Sequence, residues 1–389
     1  MDIDKTITVS ERRKTVEHEL NIVLSHMASF TFDEAIASTR HCENMIGATQ
    51  IPLGIAGPLR IKNLQSKAKD YYIPLATTEA ALVASINRGC KAIRESGGAV
   101  VDTYHIGATR GPVFSVKNLK EGNRLKIFLN THLKEMQQIT KTTSNHTLLT
   151  KTFLQGVGQY RYVRFVYDTK DAMGLNMVAI ATDRIIQFIE EKTGIPCTAL
   201  SGNYCVDKKP AWLNIIEGRG SKIWAEVEIP EAVLKKTLKT TAQKIFNIWL
   251  AKCMVGSIMS GSMGNNAQFA NILAAIFLAT GQDIAHVAEC SVGITSAELR
   301  GKNLYLSVYL PDMMVGTVGG GTELATQREA LEILGIYGGN DGKNGHRFAE
   351  IIAGSVLAGE ISLLASLSVG SLSQAHQKLA RGKNSSRDR

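Results

Sequence analysis

One short polar run carries several reactive groups that could act together. Ser201-Gly-Asn-Tyr-Cys-Val-Asp-Lys-Lys-Pro210 holds a hydroxyl, an amide, a carboxylate and two ammonium groups. Gly202 and Pro210 favour a loop over an element interior. Leu200 precedes it, and Trp212, Leu213, Ile215 and Ile216 follow, so an apolar scaffold could carry the run into a cleft. In a partly dry pocket Lys208 could polarise a carbonyl and stabilise the alkoxide formed there. Lys209 could fix a substrate carboxylate as a point charge. A solvated surface turn would have the same composition, because charged side chains are mostly exposed.

Other candidates are spread along the chain. Glu79 follows Thr77-Thr and opens an apolar helical pattern through Leu82, Val83 and Ile86. On its own it reads as an acidic first turn behind a threonine cap. Ser85, Asn87, Arg88 and Lys91 follow within about two helical turns. Arg88 and Lys91, three apart, share a face that could equally be solvated. Asp171-Ala-Met-Gly-Leu-Asn176 has a glycine near a helix start, where backbone N–H groups can approach a phosphate or simply begin a helix. Lys252 sits near the end of a helix, where a cation complements the dipole. Gly281-Gln-Asp283 stops a helix, and Gly316-Thr-Val-Gly-Gly-Gly-Thr322 is a glycine-rich turn before another, starting near Glu323. No G-x-G-x-x-G follows a strand, so a Rossmann unit is not supported. His286 and His346 read as ordinary helix or surface histidines.

The elements that must position these groups follow from periodicity. A helix is expected over 9–28 with Ser10 as N-cap and a stripe of Val16, Leu20, Val23 and Leu24. Alternation predicts strands at 113–116, 125–129, 160–167, 225–229 and 304–310. Helices are expected at 131–152, 177–193, 234–255, 267–279 and 347–367. Strands interleaved with helices over 111–200 predict a small α+β unit inserted in a larger one.

The chain has 389 residues, which predicts two or three domains. Its formal net charge is +9, compatible with solubility, polyanionic small ligands or nucleic acid, though no basic-aromatic motif supports the last. No run of about 18 apolar residues is expected to span a membrane, and Met1-Asp-Ile-Asp-Lys5 lacks the layout of a signal peptide. Six scattered cysteines with no C-x-x-C point to a reduced compartment, hence the cytoplasm, and to no metal site.

The opening run, followed by Glu217-Gly-Arg-Gly220, resembles class I 3-hydroxy-3-methylglutaryl-coenzyme A (HMG-CoA) reductase. So do Glu43-Asn44-x-Ile-Gly47, Pro52-x-Gly-x-Ala-Gly-Pro58, Ala76-Thr-Thr-Glu79, Thr109-Arg-Gly-Pro112, Asp171-Ala-Met-Gly174, Gly281-Gln-Asp283 and Gly316–Thr322, in order along nearly the whole chain. The resemblance implies an α+β fold: a helical N-terminal region (1–42), a large substrate domain (43–110 and 201–389) and an inserted ferredoxin-like NAD(P)-binding domain (111–200). It implies four-electron reduction of (S)-HMG-CoA to (R)-mevalonate and free coenzyme A with two NAD(P)H. Glu79, Lys208, Asp283 and His376 would be catalytic. Lys208 would stabilise the oxyanion, His376 would protonate the departing thiolate, Glu79 would protonate the mevalonate oxygen, and Asp283 would set the state of both Glu79 and Lys208. Ser85, Asn87, Arg88, Lys91, Arg110, Ser201, Asp207, Lys209, Lys252 and Asn271 would meet the substrate. Ser144, Asn145, Asp171, Ala172, Met173, Asn176, Val318, Gly319, Gly320 and Arg381 would meet the cofactor, NADPH in preference to NADH. Asn145 replaces an arginine common in class I members, with Arg381 able to compensate. Gly382 replaces the serine of the animal phosphorylation switch. A soluble homodimer or homotetramer with active sites between subunits is implied, without nucleic acid, membrane or metal. Another acyl-CoA enzyme on this scaffold and a non-catalytic CoA-binding homologue are the alternatives.

Overall fold

The computed structural model describes residues 8–64 and 67–370. The expected roles of His376 and Arg381 therefore lie outside the described residues. Among the described residues ten strands run in chain order: β1 Leu53–Asn63, β2 Lys69–Ala76, β3 Ala99–Arg110, β4 Val113–Ser115, β5 Leu148–Val157, β6 Tyr160–Asp168, β7 Cys197–Ala199, β8 Arg219–Ile229, β9 Ile294–Arg300 and β10 Asn303–Met313. They form two regions joined by β3. The larger follows the order β2-β1-β3-β8-β10-β9 and is antiparallel except for the β1–β3 pair. The smaller follows β7-β4-β6-β5, all antiparallel. Helices Leu119–Thr131 and Leu133–Thr143 separate β4 from β5, and helix Leu175–Thr193 separates β6 from β7. That strand-helix-strand-strand-helix-strand sequence is the ferredoxin-like arrangement.

β3 serves both sheets. Val100 to Gly107 pair with β8, and Ala108 to Arg110 pair with β6. At the change of partner Gly107 has φ +111°, and a Cβ there would lie 2.4 Å from the Tyr167 carbonyl oxygen. Only glycine fits that conformation and that approach.

In the larger sheet, alternation builds the core. Leu304, Leu306, Val308 and Leu310 of β10 oppose Ile229, Val227, Ala225 and Ile223 of β8, and all eight are buried. Each fully buried branched side chain contributes about 1.5–3 kcal/mol. Helix Lys343–Ser368 crosses this face and packs on helix Leu82–Glu95 and on β3, β8 and β10. Contrary to the expectation that no segment could cross a membrane, this helix is long and apolar enough to do so. Yet 78% of its most apolar stretch is buried inside the fold, as a core helix requires.

Several local expectations are corrected. Residues 125–129 are helical: Leu125, Phe128 and Leu129 are buried at spacings of three and four, and Asn118 caps the helix through the Glu121 N–H. The helix expected over 131–152 stops at Thr143, and residues 148–152 already belong to strand β5. The first helix is Val9–Leu20, with Thr8 rather than Ser10 as N-cap in a reciprocal box with Glu11. The helix expected over 234–255 is broken into a π-turn, an α-segment Ala242–Trp249 and a second π-turn, Leu250–Gly256. Glu79 lies before its helix rather than in the first turn. Thr77 Oγ1 accepts from the Glu79 N–H at 3.0 Å, and the helix begins at Leu82 after Ala81, whose φ is +76°.

Candidate functional site

The 201–210 loop is pinned from beneath. Thr109 Oγ1 donates to the Cys205 carbonyl at 2.9 Å, Asn214 Nδ2 to the Val206 carbonyl at 3.1 Å, and Arg219 to the Asp207 carboxylate at 2.9 Å. These bonds hold a strained backbone: Asn203, Val206 and Lys208 have φ of +63°, +51° and +59°. A branched residue such as Val206 is a true outlier there, and each such residue costs on the order of 1–3 kcal/mol.

The loop delivers Lys208 to Asp283. Lys208 Nζ lies 2.7 Å from Asp283 Oδ2. Asp283 is in turn fixed by its other oxygen, which accepts the Ala285 N–H at 3.0 Å and caps a short 3₁₀ turn. Burial works to raise the Asp283 pKa, but the Lys208 ammonium and the Ala285 N–H outweigh it and hold the carboxyl below its ordinary value. Glu79 forms a second pair, accepting from Asn271 Nδ2 at 3.4 Å. Among the described residues, no hydrogen bond or ion pair joins Glu79 to Asp283. The two pairs are therefore separate among the described residues, and Glu79 stands exposed.

Two cavities flank the loop. One, of about 390 Å³, is lined by Lys208, Gln282, Asp283, Ala172–Met177 and Gly316–Thr322 except Thr317. It joins the ion pair to the expected cofactor residues Ala172, Met173, Asn176, Val318, Gly319 and Gly320. The helix Leu175–Thr193 opens onto it with no side-chain cap among the described residues, a helix start of the kind that can meet an anion. A Cβ added at Gly319 or Gly320 would meet open space, whereas one at Gly281, φ +70°, would lie 2.3 Å from the Gly321 carbonyl oxygen. An open rim beside a helix start without a side-chain cap is compatible with the phosphates of a nicotinamide dinucleotide. The second cavity, of about 810 Å³, is lined by Pro210, Lys252, Asn266, Gln268 and Asn271 among others.

Other expected site residues are used differently. Asp171 is 3% exposed, and its carboxylate accepts the N–H groups of Asn340, Gly342 and Gly345. It fixes the loop before helix Lys343–Ser368 and that helix's first turn, and does not line this cavity. Ser144 touches that cavity only through Met177, its Oγ lying 3.8 Å from the Met177 sulfur, and Asn145 is exposed. Arg88 turns inward to the Ser362 carbonyl at 2.6 Å and to Ser366, and Ser85 bonds Ser362 at 2.9 Å. Asn87 accepts the Gly57 N–H at 3.0 Å. Lys91, Ser201 and Lys209 are exposed. Arg110 ends β3, and its Nε is buried with no partner among the described residues.

Beneath the ion pair lies a buried network that sequence reading missed. Arg219, wholly buried, donates to Glu289 at 2.6 Å, to Asp207, and to Thr109 Oγ1 at 2.8 Å. Asn214 donates to Glu289 at 3.3 Å and to Asp312, and accepts from Arg164 at 3.1 Å. Burial and the neighbouring Glu289 charge push the Asp312 carboxyl well up. Glu289 is raised by burial but lowered more by His286 and Arg219, and stays ionised. His286 is not an ordinary helix or surface histidine: it is 0% exposed, with Nδ1 against Glu289. Asp207, His286 and Glu289 hold possible metal-ligand atoms within 4.8 Å of one another, but Arg219 already donates to both carboxylates. The only sequence signal was Arg219 inside Glu217-Gly-Arg-Gly220 and the His286-x-x-Glu289 spacing on one helical face.

Comparison with known proteins fits this geometry. The chain is 48% identical over 381 residues to 3-hydroxy-3-methylglutaryl-coenzyme A reductase of Methanocaldococcus jannaschii, covering 96% of this chain and 93% of that protein. It is 45% identical over 386 residues to the reductase of Methanothermobacter thermautotrophicus, covering 98% and 96%. Among solved structures, a class II 3-hydroxy-3-methylglutaryl-CoA reductase from Streptococcus pneumoniae bound to NADPH superposes with a TM-score of 0.69 at 17% identity, covering 92% of this chain and 96% of that one, and so shares the fold. The hydroxymethylglutaryl-coenzyme A reductase family model matches residues 8–381, and the chain belongs to that family.

Proposed function

We propose that this chain is a class I member that reduces (S)-HMG-CoA to (R)-mevalonate with NADPH, acting as a cytoplasmic homodimer or homotetramer. The observation that carries the reading is the Lys208–Asp283 pair at 2.7 Å, opening into the cavity lined by the glycine turn and the 172–177 segment. Reduced nicotinamide would supply two hydrides per mevalonate formed, one to the thioester carbon and one to the aldehyde left after loss of the thiol, and the remaining tasks fall to this chain's own residues. Lys208, kept charged by Asp283, stabilises the oxyanion on the thioester carbon. The carbon–sulfur bond then breaks, and His376 protonates the thiolate. Glu79, oriented by Asn271, protonates the mevalonate oxygen. Lys252 and Asn271 hold the acyl part in the larger cavity. Residues 111–200 form the cofactor domain, residues 43–110 and 201–389 the substrate domain, and 1–42 a helical appendage.

Assembly is supported by large exposed apolar side chains, among them Trp212, Ile216, Ile258 and Met259. The exposure of Glu79 also leaves its half-site open to a neighbouring subunit. Six unpaired cysteines suit a reducing compartment. The absence of an arginine at Asn145 favours testing NADH beside NADPH. Oxidation of each by the purified protein with HMG-CoA, with mevalonate identified as product, tests the reaction and donor together. No turnover with either, in folded oligomeric protein, would refute it. Sedimentation equilibrium decides the assembly, and an active monomer would overturn the shared-site reading.

A further inference from the structure

His286 holds a place that its burial alone does not explain. Its Nδ1 lies against Glu289 Oε1, and because that carboxylate is an acceptor, Nδ1 carries the hydrogen. Its Nε2 is fully buried and has no hydrogen-bond partner among the described residues. That nitrogen points between two carboxylates, 3.8 Å from Asp207 Oδ1 and 3.9 Å from Asp283 Oδ2. A bare lone pair there would face two negative oxygens, whereas an N–H would face two acceptors.

We propose that His286 is a positioning residue that acts as a buried imidazolium, holding Asp283 and Asp207 together beneath Lys208. This rests on the catalytic reading of Lys208 and Asp283. The groups around it come from every neighbouring element: Asp283 and Glu289 from its own segment, Asp207 from the 201–210 loop, Arg219 from β8, Asp312 from β10, whose carboxyl is pushed well up by burial, and Arg164 from β6 beyond Asn214. Asp207, Glu289 and Asp283 meet Arg219, His286 and, through Asp283, Lys208. Arg219 is already committed to Glu289 and Asp207. His286 is thus the one cation of this set, apart from Lys208 itself, within 4 Å of Asp283. Without it Asp283 can neutralise more readily, and the lysine loses its fixed counter-charge.

His286→Gln keeps an amide donor for Glu289 but carries no charge. Its kcat should fall about 10- to 100-fold, with KM for HMG-CoA within about threefold of the unaltered enzyme. The acid limb of its kcat–pH profile should move to higher pH. Folded variant protein with unchanged kcat and an unchanged acid limb would overturn the proposal. Should His286→Gln fail to fold, selective ¹⁵N-histidine labelling of the unaltered protein decides: both ring nitrogens of His286 protonated at pH 7 supports the proposal, and an unprotonated Nε2 overturns it. Lys208→Ala, assayed alongside, separates the two levels. Turnover in the unaltered protein that is lost in Lys208→Ala but kept in His286→Gln sinks only the role of His286. Turnover kept in Lys208→Ala sinks the catalytic reading itself.

Discussion

Replacing Asp283 by asparagine should separate what its charge does for stability from what it does for catalysis. Unit charges 2.7 Å apart attract by about 6 kcal/mol at an effective dielectric of ~20. The two side chains are 37% and 41% exposed, so solvent and salt reduce the share that reaches folding stability to about 1 kcal/mol or less. The cap on the Ala285 N–H survives, because asparagine and aspartate cap equally well. Asp283→Asn should therefore unfold in urea within about 1 kcal/mol of the unaltered protein at pH 7. Turnover should fall about 10²–10³-fold, the loss typical of one misplaced electrostatic group in an oxyanion site. The pH dependence has a definite sign. The folded carboxyl titrates below its ordinary value of 3.8, so the pair's stability is present above that pH and is lost as pH falls through the lower folded value. The asparagine variant should lack this acid-side loss. Urea titrations at pH 7 and near pH 3, with NADPH oxidation at pH 7, measure all three quantities. Turnover within tenfold of normal in folded Asp283→Asn would refute the argument that the pair serves catalysis.

Four further outcomes are expected. Lys208→Ala should abolish turnover while calorimetry still detects HMG-CoA binding, and near-normal turnover would remove its role. Glu360 is wholly buried and accepts the Ala267 and Gln268 N–H groups and the Thr295 hydroxyl at 2.9, 2.7 and 2.6 Å. Glu360→Ala should cost about 3–5 kcal/mol in chemical denaturation, as three donors lose their acceptor. Arg219→Ala leaves Glu289 and Asp207 without their cation and should cost about 3–5 kcal/mol, and a loss below 1 kcal/mol would contradict the described network. Gly281→Ala, with φ +70° and a 2.3 Å clash, should lower the melting temperature and raise KM for the nicotinamide cofactor far more than for HMG-CoA.

The loop of the candidate site was legible in the sequence because its motif is long and its chemistry dense. Lys208, Asp283 and the glycine turn do meet at one cavity. The supporting network was not legible, because Arg219, Glu289 and Asp312 are ordinary surface residue types until topology buries them together. Asp171 shows the converse: it sits in a cofactor-like motif, but its carboxylate is taken by three backbone donors from a segment some 170 positions on. Local errors have local causes. Leu125–Leu129 alternates like a strand over five residues, yet the signal that decides it lies upstream, where Asn118 and Glu121 start a helix. Thr8 outranked Ser10 because only Thr8 has a glutamate three residues later to close the box.

A strand that belongs to two sheets behaves as a torsion bar. β3 is clamped by β8 up to Gly107 and by β6 from Ala108 onward. Rotation of the smaller sheet about that strand must be absorbed near Gly107. Two residues further on, Thr109 is tied both to the Cys205 carbonyl and to Arg219. A twist of the smaller sheet is thereby geared to the strained loop that presents Lys208. Amide exchange in the 203–209 loop should therefore slow in step with exchange in β4 and β6 when a nicotinamide ligand is added, even though neither strand lines the cavity.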